Sequence, residues 1–82
     1  MAWILMAGCD GFGNDAYVAS DTVFTNYDEA YAAGIAITKN AVSNFSKSKY
    51  QKQAKFAKKH NAASYEGGGP DFYAVPVKVI IR

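Results

Sequence analysis

Six lysines, Lys47, Lys49, Lys52, Lys55, Lys58 and Lys59, fall within thirteen residues that hold no Asp or Glu. Drawn on a helical wheel, Lys49, Lys52, Phe56, Lys59 and His60 gather on one side, opposite Tyr50, Ala54 and Ala57. An aromatic ring thus stands inside a cationic face. Ammonium groups neutralise phosphates and an aromatic ring stacks on a base, so the chemistry these types support is the non-covalent holding of an anionic, nucleotide-like ligand. Two other readings fit the same residues. One is a solvated helix face with Phe56 turned inward, and the other is docking on an acidic protein surface.

Two glycine-rich stretches offer further contacts. Gly8 to Asp15 contains three spaced glycines with Phe12 and Asn14 among them, and Tyr65-Glu66-Gly67-Gly68-Gly69-Pro70 carries a second loop aromatic. The first does not match a dinucleotide fingerprint or a phosphate loop, because no Lys-Ser/Thr pair closes the motif and no helix follows. Asp10, Asn14 and Asp15 lack the alternate oxygen spacing of a calcium loop. The first stretch therefore reads as a turn, and Phe12, Asn14 and Tyr65 as the rim of a ligand site, since loops carry function disproportionately. With Lys49, Lys52, Phe56 and Lys59 they make up the candidate ligand-binding set.

Covalent catalysis has little to work with. Cys9 and His60 are the only cysteine and histidine, and a pair of this kind needs a third group to orient it. Too few ligands are present for zinc. No enzyme activity, cofactor or metal is expected.

These residues must be positioned by a chain of 82, near the lower size at which one core outweighs chain entropy without a disulfide, a metal or a second subunit. One domain over 1–82 is expected, with a homo-oligomer as the remedy for its small core. Hydrophobic residues make up 50% and aromatics 15%, which is too much for a disordered tail. Met6-Ala7-Gly8-Cys9 has the form of a lipoprotein cleavage box, but the apolar stretch before it is short and has no Lys or Arg. It is read as a strand, and no run approaches the roughly 20 apolar residues of a membrane span. The expected setting is a reducing cytoplasm. Net charge is only +2, yet residues 1–38 hold five acids and no Lys or Arg, while 39–60 hold seven lysines and no acids.

The clearest element is the helix of Thr25 to Phe45. Tyr27, Ala30, Tyr31, Gly34, Ile35, Thr38, Ala41, Val42 and Phe45 form a stripe at three-four spacing, and Thr25 or Asn26 caps its start beside Asp28 and Glu29. Gly34 costs roughly 1 kcal/mol against Ala there, so a neighbouring backbone is expected to approach it. Before the helix, Trp3 to Cys9 reads as a central strand covered on both faces, and Ala16 to Ser20 as its antiparallel partner. Val23-Phe24 is the expected hydrophobic anchor of the helix. A second helix, Lys49 to Ala62, should pack shallowly through small residues. Tyr73 to Ile81 alternates like a strand with one buried face, at an edge or bulged because of Pro76. The fold class is α+β, a three-stranded, mainly antiparallel sheet in the sequence β-β-α-α-β with order 2-1-3. Ile4, Met6 and Ile80 lie on the face that the first helix cannot cover.

Val18-Ala19-Ser20-Asp21-Thr22-Val23-Phe24-Thr25-Asn26-Tyr27-Asp28-Glu29-Ala30 resembles the strand-to-helix junction of small bacteriophage and prophage proteins that end in a Val-rich strand. The resemblance covers under half of the chain. It implies an accessory protein of host takeover or anti-defence in the host cytoplasm, a class that includes inhibitors of host proteins and sponges for signalling nucleotides. It assigns no residue a role. The function expected is a non-enzymatic protein that sequesters an anionic ligand such as a nucleotide. An inhibitor docking on a host protein is the alternative. Nucleic-acid binding comes third, because the basic segment lacks arginine and net charge is modest.

Overall fold

The computed structural model describes residues 2–8, 17–61 and 73–79. Its elements are β1 (Trp3–Gly8), β2 (Tyr17–Val18), α1 (Tyr27–Ala41), α2 (Lys47–His60) and β3 (Tyr73–Lys78), an α+β arrangement. β1 and β3 pair antiparallel over their full length, with Leu5 opposite Pro76 and Met6 opposite Val75. On the other side of β1 only Met6 with Val18 and Ala7 with Tyr17 are paired, so the order is β2-β1-β3. Among the described residues, which exclude Ala16, the second strand expected over 16–20 is the two-residue ladder Tyr17–Val18. Beyond it the chain bulges away and returns at Phe24, which exchanges backbone hydrogen bonds of 2.7 and 2.8 Å with Trp3.

Alternation along the strands puts Leu5, Ala7, Ala74 and Pro76 on one face, and Ile4, Met6, Tyr73, Val75 and Val77 on the other. α1 covers the first face. Asn26 is its cap, with Oδ1 accepting from the backbone N-H groups of Asp28 and Glu29 at 2.8 and 3.2 Å. The helix stops at Ala41, with Val42 extended at its end. It does not run to Phe45. Ser43 and Asn44 follow at once, residues whose side chains compete for backbone hydrogen bonds, and Phe45 turns back to within 6.0 Å of the Tyr50 ring. Val23 is no anchor for α1, being 60% exposed, while Phe24 is half-buried.

α2 begins two residues earlier than its periodicity suggested, because Ser46 caps it by accepting from the Lys49 N-H at 3.4 Å. It ends at His60, with Asn61 left-handed at φ 52°. Its packing is deep rather than shallow. Tyr50, Ala54 and Ala57 join Tyr73, Val75 and Val77 in the buried core, and Tyr50 has no exposed surface. The small side chains at 54 and 57 are what let the helix come close enough to bury the large ring.

β3 is therefore covered twice. All of Tyr73 to Val77 is buried, where one buried face was expected, because α1 lies on one face and α2 on the other. β1 is the strand left half-covered: Leu5 and Ala7 are buried, but Ile4 and Met6 are only partly so. Ile80 lies outside the described residues. Pro76 sits on the edge strand without a bulge. The Val79 N-H donates to Ala2 at 2.8 Å, so the odd residues of β3 face β1 and the N-H groups of 74 and 78 face outward, the direction that Pro76 lacks. No ladder bond is lost.

Candidate functional site

The lysines are presented by a helix whose inward stripe is fixed by Tyr50, Gln53, Ala54 and Ala57, all buried. Two side chains of α2 and its cap and one of α1 hold the helices onto the outer edge of β3. The Tyr50 hydroxyl donates to the Ala74 carbonyl at 2.7 Å, Thr38 Oγ1 of α1 accepts from the Ala74 N-H at 2.9 Å, and Asn61 Oδ1 accepts from the Lys78 N-H at 2.8 Å. The two helices run antiparallel. Tyr31 meets Tyr50 edge-on at 5.4 Å near one end, and Lys58 Nζ stands 4.5 Å over the Tyr27 ring at the other. A contact of that kind is worth about 0.5–1 kcal/mol at an exposed site.

With the inward side fixed, the outward side follows. Lys47, Lys49, Lys52, Lys55, Lys58, Lys59 and His60 are exposed, and Phe56 is half-buried. Lys49, Lys52, Phe56 and Lys59 share a flank of α2 as the wheel placed them. The Phe56 and His60 rings lie 4.4 Å apart at 39°, one turn from each other, so the flank carries a two-ring aromatic surface between cations. Lys58 belongs to the other flank, against α1. The first turn of α2 has no acid and the last holds Lys58, Lys59 and His60, the two lysine charges being placed favourably at the negative helix end. Phe12, Asn14 and Tyr65 lie outside the described residues, as does Cys9.

Gln53 escaped the sequence reading. Its type is polar, but it stands three residues after Tyr50 and four before Ala57, within the stripe they define, and only 4% of it is exposed. Burial also raises the pKa of Tyr50 and of Tyr27. Tyr50 is pushed well above the ordinary tyrosine range by burial, then by Tyr31 and Tyr27, and Tyr27 is raised by burial, then by Tyr31 and Asp28. At neutral pH the Tyr50 phenol is a hydrogen-bond donor and the Tyr27 ring a packing contact, and neither is a base.

Among the described residues no three His, Cys, Asp or Glu side chains gather as a metal site would need, and no helix is long and apolar enough to cross a membrane. Comparison with family models, with curated proteins and with solved structures gave no match.

Proposed function

We propose that this chain is a non-enzymatic binding protein that sequesters an anionic small ligand of the nucleotide class on the outer flank of α2. The observation that carries this reading is the Phe56–His60 ring pair set among exposed lysines on a helix that has no carboxylate. Lysines supply the charge term and the ring pair a surface for a base. The loop residues Phe12, Asn14 and Tyr65 belong to the same proposal as its rim, and an anti-defence role in a phage-infected cytoplasm is the biological setting that suits it.

Calorimetric titration with mononucleotides, cyclic dinucleotides and cyclic ADP-ribose isomers tests the ligand class. Binding should weaken in Lys52→Glu and in Lys59→Glu while stability changes by under about 0.5 kcal/mol for the first and by about 1 kcal/mol for the second, which reverses a favourable charge in the last turn of α2. Phe56→Ala should lose binding and keep the fold. No heat from any of these ligands would overturn the reading. Val18 and Val23, 54% and 60% exposed, favour a second one, docking on a host protein, which capture of a partner that fails to bind Val18→Asp would support.

A further inference from the structure

Gln53, Phe56 and His60 follow one another at i, i+3 and i+7 and so line one strip of α2. Gln53 is nearly enclosed, yet among the described residues its carboxamide has no hydrogen-bond partner. No side-chain polar atom sealed from solvent lacks a partner either, so the Gln53 amide must reach the surface. Its neighbours one turn away are Lys49, Tyr50, Phe56 and Ala57, and Tyr50 and Ala57 are fully buried. Lys49 is exposed and Phe56 half-buried, so of the helix neighbours it is this side, beside the ring pair, that leaves the amide a way to solvent. A buried amide held at such an opening, with its donor and acceptor unspent, is the arrangement that gives a stacking surface chemical discrimination. Stacking alone accepts any base.

Resting on the binding role proposed above, we infer that the base held on this strip is adenine. Its ring lies against Phe56 and His60, and its 6-amino group and N7 exchange two hydrogen bonds with the Gln53 carboxamide. Lys52 and Lys59 take the phosphates. A carboxamide offers one donor and one acceptor in a plane, which complements the 6-amino and N7 edge of adenine. Guanine presents two acceptors on that edge, N7 and O6, and leaves the Gln53 carbonyl facing one of them.

Titration of the full chain with ATP, 7-deaza-ATP, GTP and inorganic triphosphate tests this without relying on a variant. ATP should bind about tenfold or more tighter than GTP and 7-deaza-ATP, the span that one bidentate pair supplies. Gln53→Met, which keeps volume and burial, should bring ATP to the affinity of GTP and leave GTP unchanged, with an unaltered melting temperature checking the fold. Equal affinity for ATP, GTP and 7-deaza-ATP would overturn the adenine inference and leave the binding role standing. Triphosphate binding as tightly as ATP would also overturn it, by showing that the base adds nothing. Absence of binding by all four would overturn the adenine inference, and the binding role would fall with it only if cyclic dinucleotides and cyclic ADP-ribose isomers gave no heat either.

Discussion

Gly34 shows how much of this fold turns on single atoms. A Cβ built there meets the Tyr50 hydroxyl, comes to 2.5 Å from the Ala74 carbonyl oxygen and lies 3.3 Å from Leu5 Cδ2. The absent methyl is what allows Tyr50 to reach across the sheet edge and hydrogen-bond to Ala74. Gly34→Ala should therefore destabilise the protein by about 1–3 kcal/mol despite a helix propensity gain of about 1 kcal/mol, because the Ala74 carbonyl belongs to a strand and has little room to retreat. Thermal melting checks this, and an unchanged or raised Tm would contradict it. Tyr50 carries a pH dependence of its own. In the unfolded chain its phenol ionises near the ordinary tyrosine value of about 10, whereas in the fold burial, Tyr31 and Tyr27 hold the pKa higher. Above about pH 10 the unfolded state then binds fewer protons than the folded one, so stability present at neutral pH is lost as pH rises past that point. Denaturant titrations at rising pH should show this decline in the wild type and a shallower one in Tyr50→Phe.

At the scale of elements, the outer edge of β3 is closed by side chains from both helices, with Thr38 and Tyr50 on Ala74 and Asn61 on Lys78. An edge occupied in this way cannot accept a further strand, and Pro76 removes the one outward N-H between those two positions. Asn61 does two things there: it takes the left-handed conformation that ends α2, and its amide oxygen accepts from the strand. The two separate by substitution. Asn61→Gly keeps the backbone conformation and loses the hydrogen bond, for about 0.5–1.5 kcal/mol, while Asn61→Ala should cost roughly 1 kcal/mol more because Ala disfavours that conformation. Equal losses in equilibrium unfolding would show that the backbone conformation contributes nothing. These contacts were not legible in the sequence, since Thr38 and Asn61 lie far along the chain from the strand they serve. What was legible is local: the Asn26 cap, the start of α1, the close approach at Gly34 and the cationic flank of α2 all follow from residue type and helical spacing. The end of α1 and the depth of α2 were not. Both depend on where Phe45 and Tyr50 find room, which is a tertiary matter, and periodicity reports only which way a side chain points.

Across the whole molecule, the segregation of charge along the chain is partly answered by the antiparallel helices. The acidic first turn of α1, Asp28 and Glu29, adjoins Tyr27, over which Lys58 from the basic end of α2 is held. The apolar surface is less well answered. Ile4 and Met6 are only half-covered, and Val18 pairs with Met6 and so shares its face. Among the described residues α2 covers the β3 half of this face as far as Met6 and does not cover the rest of the β1 and β2 half. We propose that a second copy covers it, in competition with the host-protein docking considered above, because one apolar patch can meet itself about a two-fold axis. In such an interface every substitution acts twice, once from each copy. Val18→Lys should therefore dissociate the dimer, by placing like charges opposite each other across the axis, and should leave the fold of each copy intact because Val18 is 54% exposed. Light scattering at micromolar concentration reads the outcome directly: the wild type should have twice the mass of Val18→Lys with matching far-UV circular dichroism, and a monomeric wild type would show that this face is not closed by its own kind.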